Sequence, residues 1–170
     1  MAFVVEDGTG LPNANSYIEV AYADSYFTDR SIAAWSGDNS TKQSAIIRAT
    51  DYIEARWADS FLGRREFPDT PQALSFPRLG LYDREEYPIS GIPDLLKRAT
   101  AEYALRALTV TLLPDPVVSA ASGREIESAR EKVGPIETEY TYGDLVPLRP
   151  YPAADRLLEQ FLRTAGRAYR

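Results

Sequence analysis

The sequence predicts a mainly α protein, a small helical bundle of about four helices with an extended β-hairpin between the last two. Four segments repeat apolar residues every three or four positions, at about residues 20–30, 40–57, 93–113 and 152–168. Another segment, between the third and fourth helices, alternates with a period of two. With 170 residues and 44% hydrophobic content, a single domain over residues 1–170 can bury a full core.

The first two predicted helices differ in how much surface they can bury. The first is short, so we expect it to pack only partly, and its apolar face consists of Val20, Ala23 and Phe27. The second begins at a cap near Asn39 or Ser40 and ends at Trp57. Its inward positions are spaced by three and four residues and include Ile46, Ala49 and Ile53. This spacing is typical of an amphipathic core helix.

The third predicted helix has the features of the central one. Pro93 stands in its first turn, and Pro114 follows its end. It carries two apolar stripes on different faces, which indicates burial on two sides. The stripes are Leu96, Ala99, Tyr103, Ala107 and Val110, and Ala101, Leu105, Leu108 and Leu112. The fourth helix turns its apolar residues inward and its arginines outward, including Arg163 and Arg167.

A β-hairpin is predicted at about residues 124–142. Ile136, Tyr140 and Tyr142 lie on one face of an alternating strand, and Gly134-Pro135 supplies the turn to residues 124–133. An isolated two-stranded ribbon is only marginally stable in water. Two interpretations therefore stay open: an arm that packs on a neighbouring chain, and a hairpin that lies on its own helices.

The stretch 63–92 is predicted to be a long, fixed loop. It lacks a sustained periodicity, and loops of this length in compact domains usually carry function or form a binding surface. Its aromatic-proline pairs are expected to hold it against the helices, at Phe67-Pro68, Phe76-Pro77 and Tyr87-Pro88.

Composition argues against most enzyme designs. The chain has no cysteine and no histidine, which excludes disulfides, thiol nucleophiles, imidazole bases and Cys/His zinc sites. The carboxylate pairs Glu85-Glu86 and Glu137/Glu139 are better explained as solvated groups than as catalytic acids. No catalytic residue, cofactor or metal site is predicted. Neither a membrane span nor a secretory signal is predicted, and production in the cytoplasm is the expectation.

The charge is negative overall and uneven along the chain. A net charge of −6 argues against a protein whose main task is to neutralise phosphates. Residues 1–29 carry five carboxylates and no Lys or Arg, whereas residues 156–170 carry four arginines against one glutamate. Ends of opposite sign suit head-to-tail contacts between copies.

The segment from Glu6 to Tyr17 is predicted to be a loop of defined shape, because glycines, asparagines and a proline supply turns between apolar anchors. The spacing of Asp7, Thr9 and Asn13 does not reproduce a calcium-binding loop. Gly8-Thr9-Gly10 lacks the third glycine and the strand-turn-helix setting of a dinucleotide site. The loop's own chemistry therefore assigns it no ligand.

Several motifs occur together in a recognisable order. They are Val5 to Tyr17, Arg48 to Tyr52, Gln72 to Arg78, Ile92-Pro93, Lys97 to Ala104, and Lys132 to Ile136. This arrangement covers nearly the whole chain and resembles the head-tail connector proteins of tailed phages, also called adaptor or head completion proteins. Members of this group often carry the label of DnaT-like single-stranded-DNA-binding protein.

The resemblance implies a structural virion protein. Its copies, usually twelve, would form a homo-oligomeric ring below the portal protein, contact a stopper or tail-completion protein, and let duplex DNA pass through the lumen without specific binding. The location would be the head-tail interface of the virion, after assembly in the host cytoplasm. Ring or stopper contacts are then expected at Asp7, Leu11, Asn13, Ile136, Tyr140 and Tyr142, and portal contacts at Arg163, Arg167 and Arg170.

The alternative is a single-stranded-DNA-binding replication accessory protein. It predicts salt-sensitive binding of oligonucleotides that depends on Arg64, Arg65 or Arg78. The negative net charge favours the connector over this alternative.

Overall fold

The computed structural model describes residues 2–67, 71–83, 85–114, 128–133, 136–141 and 150–163. The chain divides into two compact units, Met1–Leu112 with Pro150–Arg170 and Leu113–Arg149. The sequence predicts one domain, and the second unit contains the predicted hairpin with its flanking residues. None of the helices in the described ranges is both long and apolar enough to cross a membrane.

Helices α1 and α2 form close to their predicted bounds. Helix α1 spans Val20–Thr28, two residues shorter than predicted, and buries Ala23 and Phe27. Helix α2 spans Asn39–Trp57. Its N-cap is Asp38, whose carboxylate Oδ1 accepts the backbone N–H of Thr41 at 2.8 Å. Ile46, Ala49 and Ile53 are fully buried, so the predicted inward face of α2 is confirmed.

Helix α3, Asp94–Ala107, is the central helix of the first unit. All six residues from Ala99 to Ala104 are buried, which confirms the prediction of burial on two sides. The predicted end at residue 113 is wrong. The segment Leu108 to Leu112 is rich in β-branched residues, which lose side-chain freedom in a helix. The last turn tightens here, because Thr109 N donates to the Arg106 carbonyl three residues back, at 3.1 Å.

Helix α4 is shorter than predicted. It spans Pro152–Leu158, and a 3-10 turn follows at Glu159–Phe161. The predicted continuation of the helix is wrong at Leu162, which is extended and forms a β-bridge with Phe61. Residues 164–168 of the predicted helix lie outside the described residues. Two backbone bonds hold this crossing: Leu62 N to Phe161 O at 2.7 Å and Arg163 N to Ser60 O at 2.8 Å.

Three short antiparallel pairs make up the β-structure of the described residues. In the first unit, β1 (Arg64–Arg65) pairs with β2 (Arg78–Leu79), and β3 (Leu81–Tyr82) pairs with β4 (Pro88–Ile89). In the second unit, β5 (Ser128–Val133) pairs with β6 (Ile136–Thr141), within the range predicted for the hairpin. The predicted strand residue Tyr142 lies outside the described residues.

Aromatic side chains hold the irregular stretch 63–92 against the helices. Phe76 is fully buried between Phe61 and Phe161, with ring centroids 4.9 and 5.8 Å away. The predicted pinning by the Phe76-Pro77 pair is therefore confirmed. As a result, the loop and the segment after α4 share one core with α2 and α3.

Candidate nucleic-acid interface

The strongest candidate site lies where β1 crosses β2. Arg64 pairs with Leu79 and Arg65 pairs with Arg78. Gly63 begins this crossing at φ +69°, and a Cβ there would lie 2.2 Å from the Leu79 carbonyl oxygen. Only glycine allows the two backbones to approach so closely. Gly63 therefore forms a tight turn directly before the two arginines of β1.

Arg78 is an internal support of this site. Its side chain is buried, and its guanidinium donates to three successive backbone carbonyls of the crossing. The distances are 3.3 Å to Phe61 O, 2.7 Å to Leu62 O and 2.9 Å to Gly63 O. Burial, the main cause, lowers the pKa of Arg78. The alternative function predicts that DNA binding is lost when Arg78 is removed, and this stays a prediction. Because the Arg78 donors bond to backbone carbonyls, we expect its removal to act through the shape of the ribbon.

Three other arginines surround Arg78 and face the solvent. Arg64 and Arg65 are exposed on β1, and Arg163 is exposed on the extended segment that runs beside Ser60. Arg65 is directly opposite Arg78 in the ladder, and Arg163 N donates to the Ser60 carbonyl at 2.8 Å, just before β1. The charges of Arg65 and Arg163 both act to lower the pKa of Arg78. We call Arg64, Arg65 and Arg163 the arginine edge.

The arginine edge is largely available to a ligand. None of the ion pairs among the described residues includes its three members. Arg65 makes one long hydrogen bond, 3.4 Å from Nη1 to the Gln72 carbonyl. By contrast, Lys42, Arg56, Arg98 and Arg106 all pair with carboxylates. Exposed guanidinium groups without carboxylate partners are suited to bind phosphate oxygens.

A clasp of polar side chains fixes the loop that carries Arg78. The Tyr17 hydroxyl donates to Glu54 Oε1, and Glu54 Oε2 accepts from Ser75 N at 3.1 Å and from Ser75 Oγ at 2.7 Å. Burial first, and then the negative charge of Glu54, raise the pKa of the Tyr17 hydroxyl, so Tyr17 is the donor in this bond. The clasp ties the loop to α2 and thereby keeps β2 in register with β1.

The N-terminal loop is shaped by Glu6, which the sequence did not single out. This carboxylate is buried and accepts three backbone N–H groups: Gly8 at 3.0 Å, Gly10 at 2.9 Å and Leu11 at 2.9 Å. An acidic residue followed by a Gly-x-Gly turn is a signal that could have pointed to it. The loop's polar groups thus bond within the loop, and Asp7 accepts from Thr9 N at 2.9 Å.

The structure places some of the predicted interface residues and leaves others undescribed. Asp7 and Asn13 are exposed, and Leu11 is half-buried against the core. Ile136 and Tyr140 lie on β6, opposite Val133 and Ala129. Arg163 is exposed, on an extended segment instead of the predicted helix. Tyr142, Arg167 and Arg170 lie outside the described residues. The contacts expected at these positions stay predictions.

The sequence did not predict that Arg163 lies near Arg64 and Arg65. Nothing local in the sequence signals it, because about a hundred positions separate the two segments and only the β-bridge brings them together. No three acidic side chains gather as metal ligands in the part of the chain that the structure describes.

These features define a small helical protein with an exposed arginine edge on a short β-ribbon. The chain belongs to the family described as "Putative DnaT-like ssDNA binding protein", whose model matches residues 1–170. No curated protein and no solved structure matches the chain significantly. The family match supports the DnaT-like label that the sequence resemblance included, and it contains no statement about a head-tail connector.

Proposed function

We propose that this protein binds single-stranded DNA along the arginine edge. The observation that carries the proposal is that the arginines around β1 and β2 have two different roles. Buried Arg78 supports the ribbon, and the three exposed arginines have no carboxylate partner among the described residues. The family description supports the same function. The net charge alone favours the connector over the DNA-binding protein, whereas this proposal prefers DNA binding.

The negative net charge restricts the kind of binding that we expect. Phosphate contacts depend on local potential, and a cluster of three arginines can bind a strand even though the whole chain carries −6. The long-range repulsion of the remaining surface weakens binding at low salt. Three phosphate contacts to a single strand predict a slope of about −2 in a plot of log K against log salt.

The experiment compares two double variants of equal charge in the full chain. Arg64→Gln/Arg65→Gln removes two members of the arginine edge. Arg30→Gln/Arg48→Gln removes two exposed arginines elsewhere, of which Arg30 stacks on Tyr26 and Arg48 bonds to the Ser44 carbonyl. Binding of a fluorescent oligothymidylate is measured by anisotropy over a range of salt concentrations.

We expect the arginine-edge variant to weaken binding at each salt concentration. The salt slope should become shallower by about 0.7 for each phosphate of the single strand that an arginine no longer neutralises. The control variant should change affinity much less. Equal effects of the two variants would show that only net charge matters and would refute a local site. Wild-type protein that binds no oligonucleotide would refute the proposal altogether.

A connector subunit is the second candidate function. The specific observation in its favour is the negative net charge of the chain. The wall of a channel through which DNA slides should not bind phosphates tightly. In this function, copies of the chain form a ring, usually of twelve, that joins the portal to a stopper or tail protein in the virion. The N-terminal loop and hairpin would make ring or stopper contacts, and the C-terminal arginines would face the portal.

Electron microscopy of the protein mixed with its portal tests this second function. Rings on the portal that form equally well with Arg64→Gln/Arg65→Gln, together with no oligonucleotide binding, would establish the connector and exclude the first proposal. Failure to bind portal would count against the connector.

A further inference from the structure

Exposed apolar side chains occur on β2, on β3 and in the turn before β4, close in sequence to β1 and its two arginines. Large hydrophobic side chains that stay exposed on this part of the molecule are Leu79 at 41%, Tyr82 at 56% and Tyr87 at 65%. Neither tyrosine ring is within stacking distance of another aromatic ring in the described structure. We call Tyr82 and Tyr87 the tyrosine pair.

Strand register connects Leu79 with one member of the arginine edge, Arg64, and chain length limits the distance from Arg64 to Tyr82. Directly opposite residues of an antiparallel ladder point to the same face, so exposed Leu79 shares a face with exposed Arg64. Tyr82 follows Leu79 by three positions on the same run of chain. A cross-strand step of about 5 Å and three residues of about 3.4 Å place the Tyr82 Cα within about 15 Å of the Arg64 Cα. At about 3.4 Å per stacked nucleotide, about five nucleotides suffice to span that distance.

Tyr87 is held in place by the turn before it. Asp83 Oδ1 accepts the backbone N–H groups of Glu85 and Tyr87, both at 2.9 Å. Asp83 N donates to the Tyr87 carbonyl at 2.9 Å. Tyr82 lies opposite Pro88 in the ladder of β3 and β4, so both tyrosines are attached to one ribbon. A ring on a fixed backbone loses little further conformational freedom when a base stacks on it.

The charges around the two surfaces differ in sign. The arginine edge is positive, whereas exposed Glu85 and Glu86 lie in the turn beside Tyr87. A single strand can direct its phosphates toward the arginines and its bases toward the tyrosines. A duplex hides its base faces and carries phosphates along both strands, so one strand would approach the two glutamates. The surface therefore suits unpaired nucleotides and disfavours duplex DNA.

We infer that Tyr82 and Tyr87 are base-stacking residues and that Glu85 and Glu86 exclude duplex DNA. This inference rests on the proposed binding of single-stranded DNA at the arginine edge and adds the feature of the nucleic acid that is recognised, its unpaired bases. Aromatic stacking tolerates every base, so selection for single strands is expected without selection for sequence.

The first test replaces both tyrosines in the full chain. Tyr82→Ala/Tyr87→Ala should lower the affinity for oligothymidylate about tenfold or more and leave the salt slope unchanged, because the phosphate contacts stay. Tyr82→Phe/Tyr87→Phe keeps both rings and should bind almost as the wild type does. Quenching of tyrosine fluorescence by the oligonucleotide should disappear in the alanine variant.

The second test addresses the glutamates with a hairpin duplex and an oligothymidylate of equal phosphate number. Glu85→Gln/Glu86→Gln should raise the affinity for the duplex more than that for the single strand, and so lower the preference for single strands. A preference that does not change would overturn the role of the two glutamates.

The outcomes separate this inference from the function on which it rests. If Arg64→Gln/Arg65→Gln weakens binding and Tyr82→Ala/Tyr87→Ala does not, the DNA-binding function stands and the stacking inference falls. If the wild type binds no oligonucleotide, and the alanine variant instead loses self-association in sedimentation, the tyrosine pair is a protein interface and both are overturned.

Discussion

The guanidinium of Arg78 donates from Nε to the backbone carbonyl of Leu62 at 2.7 Å. This bond joins β2 to the segment before β1, and the same side chain also reaches the carbonyls on either side of Leu62. A planar cation with several fixed donors can satisfy several carbonyls at once, which a lysine cannot do. Arg78 therefore holds the backbone that carries the arginine edge, although Arg78 itself is buried and is not a member of that edge.

Replacement of Arg78 by lysine should destabilise the fold. Arg78→Lys keeps the charge but can reach at most one or two of the carbonyls, so we expect the free energy of unfolding to fall by about 2–3 kcal/mol. Urea denaturation followed by circular dichroism measures this. Arg65→Lys is the matched control and should leave stability nearly unchanged. Arg65 is exposed, and within the described ranges it makes one hydrogen bond, of 3.4 Å. Equal effects of the two substitutions would refute the supporting role of Arg78.

The N-terminal loop should depend on the charge of Glu6. Glu6→Gln replaces one acceptor oxygen by an NH₂ group that faces backbone N–H donors, so we expect a loss of about 2 kcal/mol or more in the free energy of unfolding. Asp7→Asn in the same loop is exposed and should cost less. Hydrogen exchange of the Gly10 and Leu11 amides should accelerate in the Glu6 variant and stay slow in the control. Unchanged exchange at both amides would contradict this account of the loop.

Two glycines of the ribbon form a matched pair. Gly63 and Gly80 have similar positive φ values, +69° and +78°, so alanine at either position carries a backbone cost of about 1–2 kcal/mol. At position 63 the new Cβ would also lie 2.2 Å from the Leu79 carbonyl oxygen, whereas at position 80 the nearest atom is 3.8 Å away. Thermal unfolding should therefore show a much larger decrease in Tm for Gly63→Ala than for Gly80→Ala. Similar decreases would contradict the close approach of β1 and β2.

The cap of α2 should make stability depend on pH in the acidic range. Hydrogen bonds from the Thr41 side chain and backbone lower the pKa of Asp38 from its ordinary value of 3.8. The stabilisation is present above the pKa of the unfolded chain and is lost as the pH falls through the lower pKa of the folded state. Asp38→Ala should thus be less stable than the wild type at pH 7, and the difference should shrink below about pH 4. A difference that stays constant between about pH 7 and about pH 2.5 would exclude the ionised cap.

The parts of the fold that local signals specify could be predicted. The apolar spacing marks the inward face of α2, and Pro93 marks the start of α3. The sequence predicts the cap of α2 near Asn39 or Ser40, and it lies at Asp38, just before the first of these. The end of α3 could not be placed, because the stripe through Val110 and Leu112 continues past the helix. Leu112 is buried in the core from a turn, and burial alone does not require helical backbone.

The candidate site could be predicted only as a set of residue types. The sequence singled out Arg64, Arg65 and Arg78 together, and it could not separate the buried support from the exposed contacts. Arg163 was expected on a helix. The β-bridge between Phe61 and Leu162 places it near β1 on extended backbone, with Phe161 buried before it.

The sequence by itself determined the helical class of the first unit, the inward faces of its helices and the turn-rich character of the N-terminal loop, because propensity, periodicity and capping act over a few residues. The tertiary structure alone decided which arginines bond to carbonyls and which face solvent, and which carboxylate shapes the loop. Those outcomes depend on contacts between residues far apart in the chain, where burial selects the partner. The arginine edge is a product of that folding, and it is the surface at which we propose that single-stranded DNA binds.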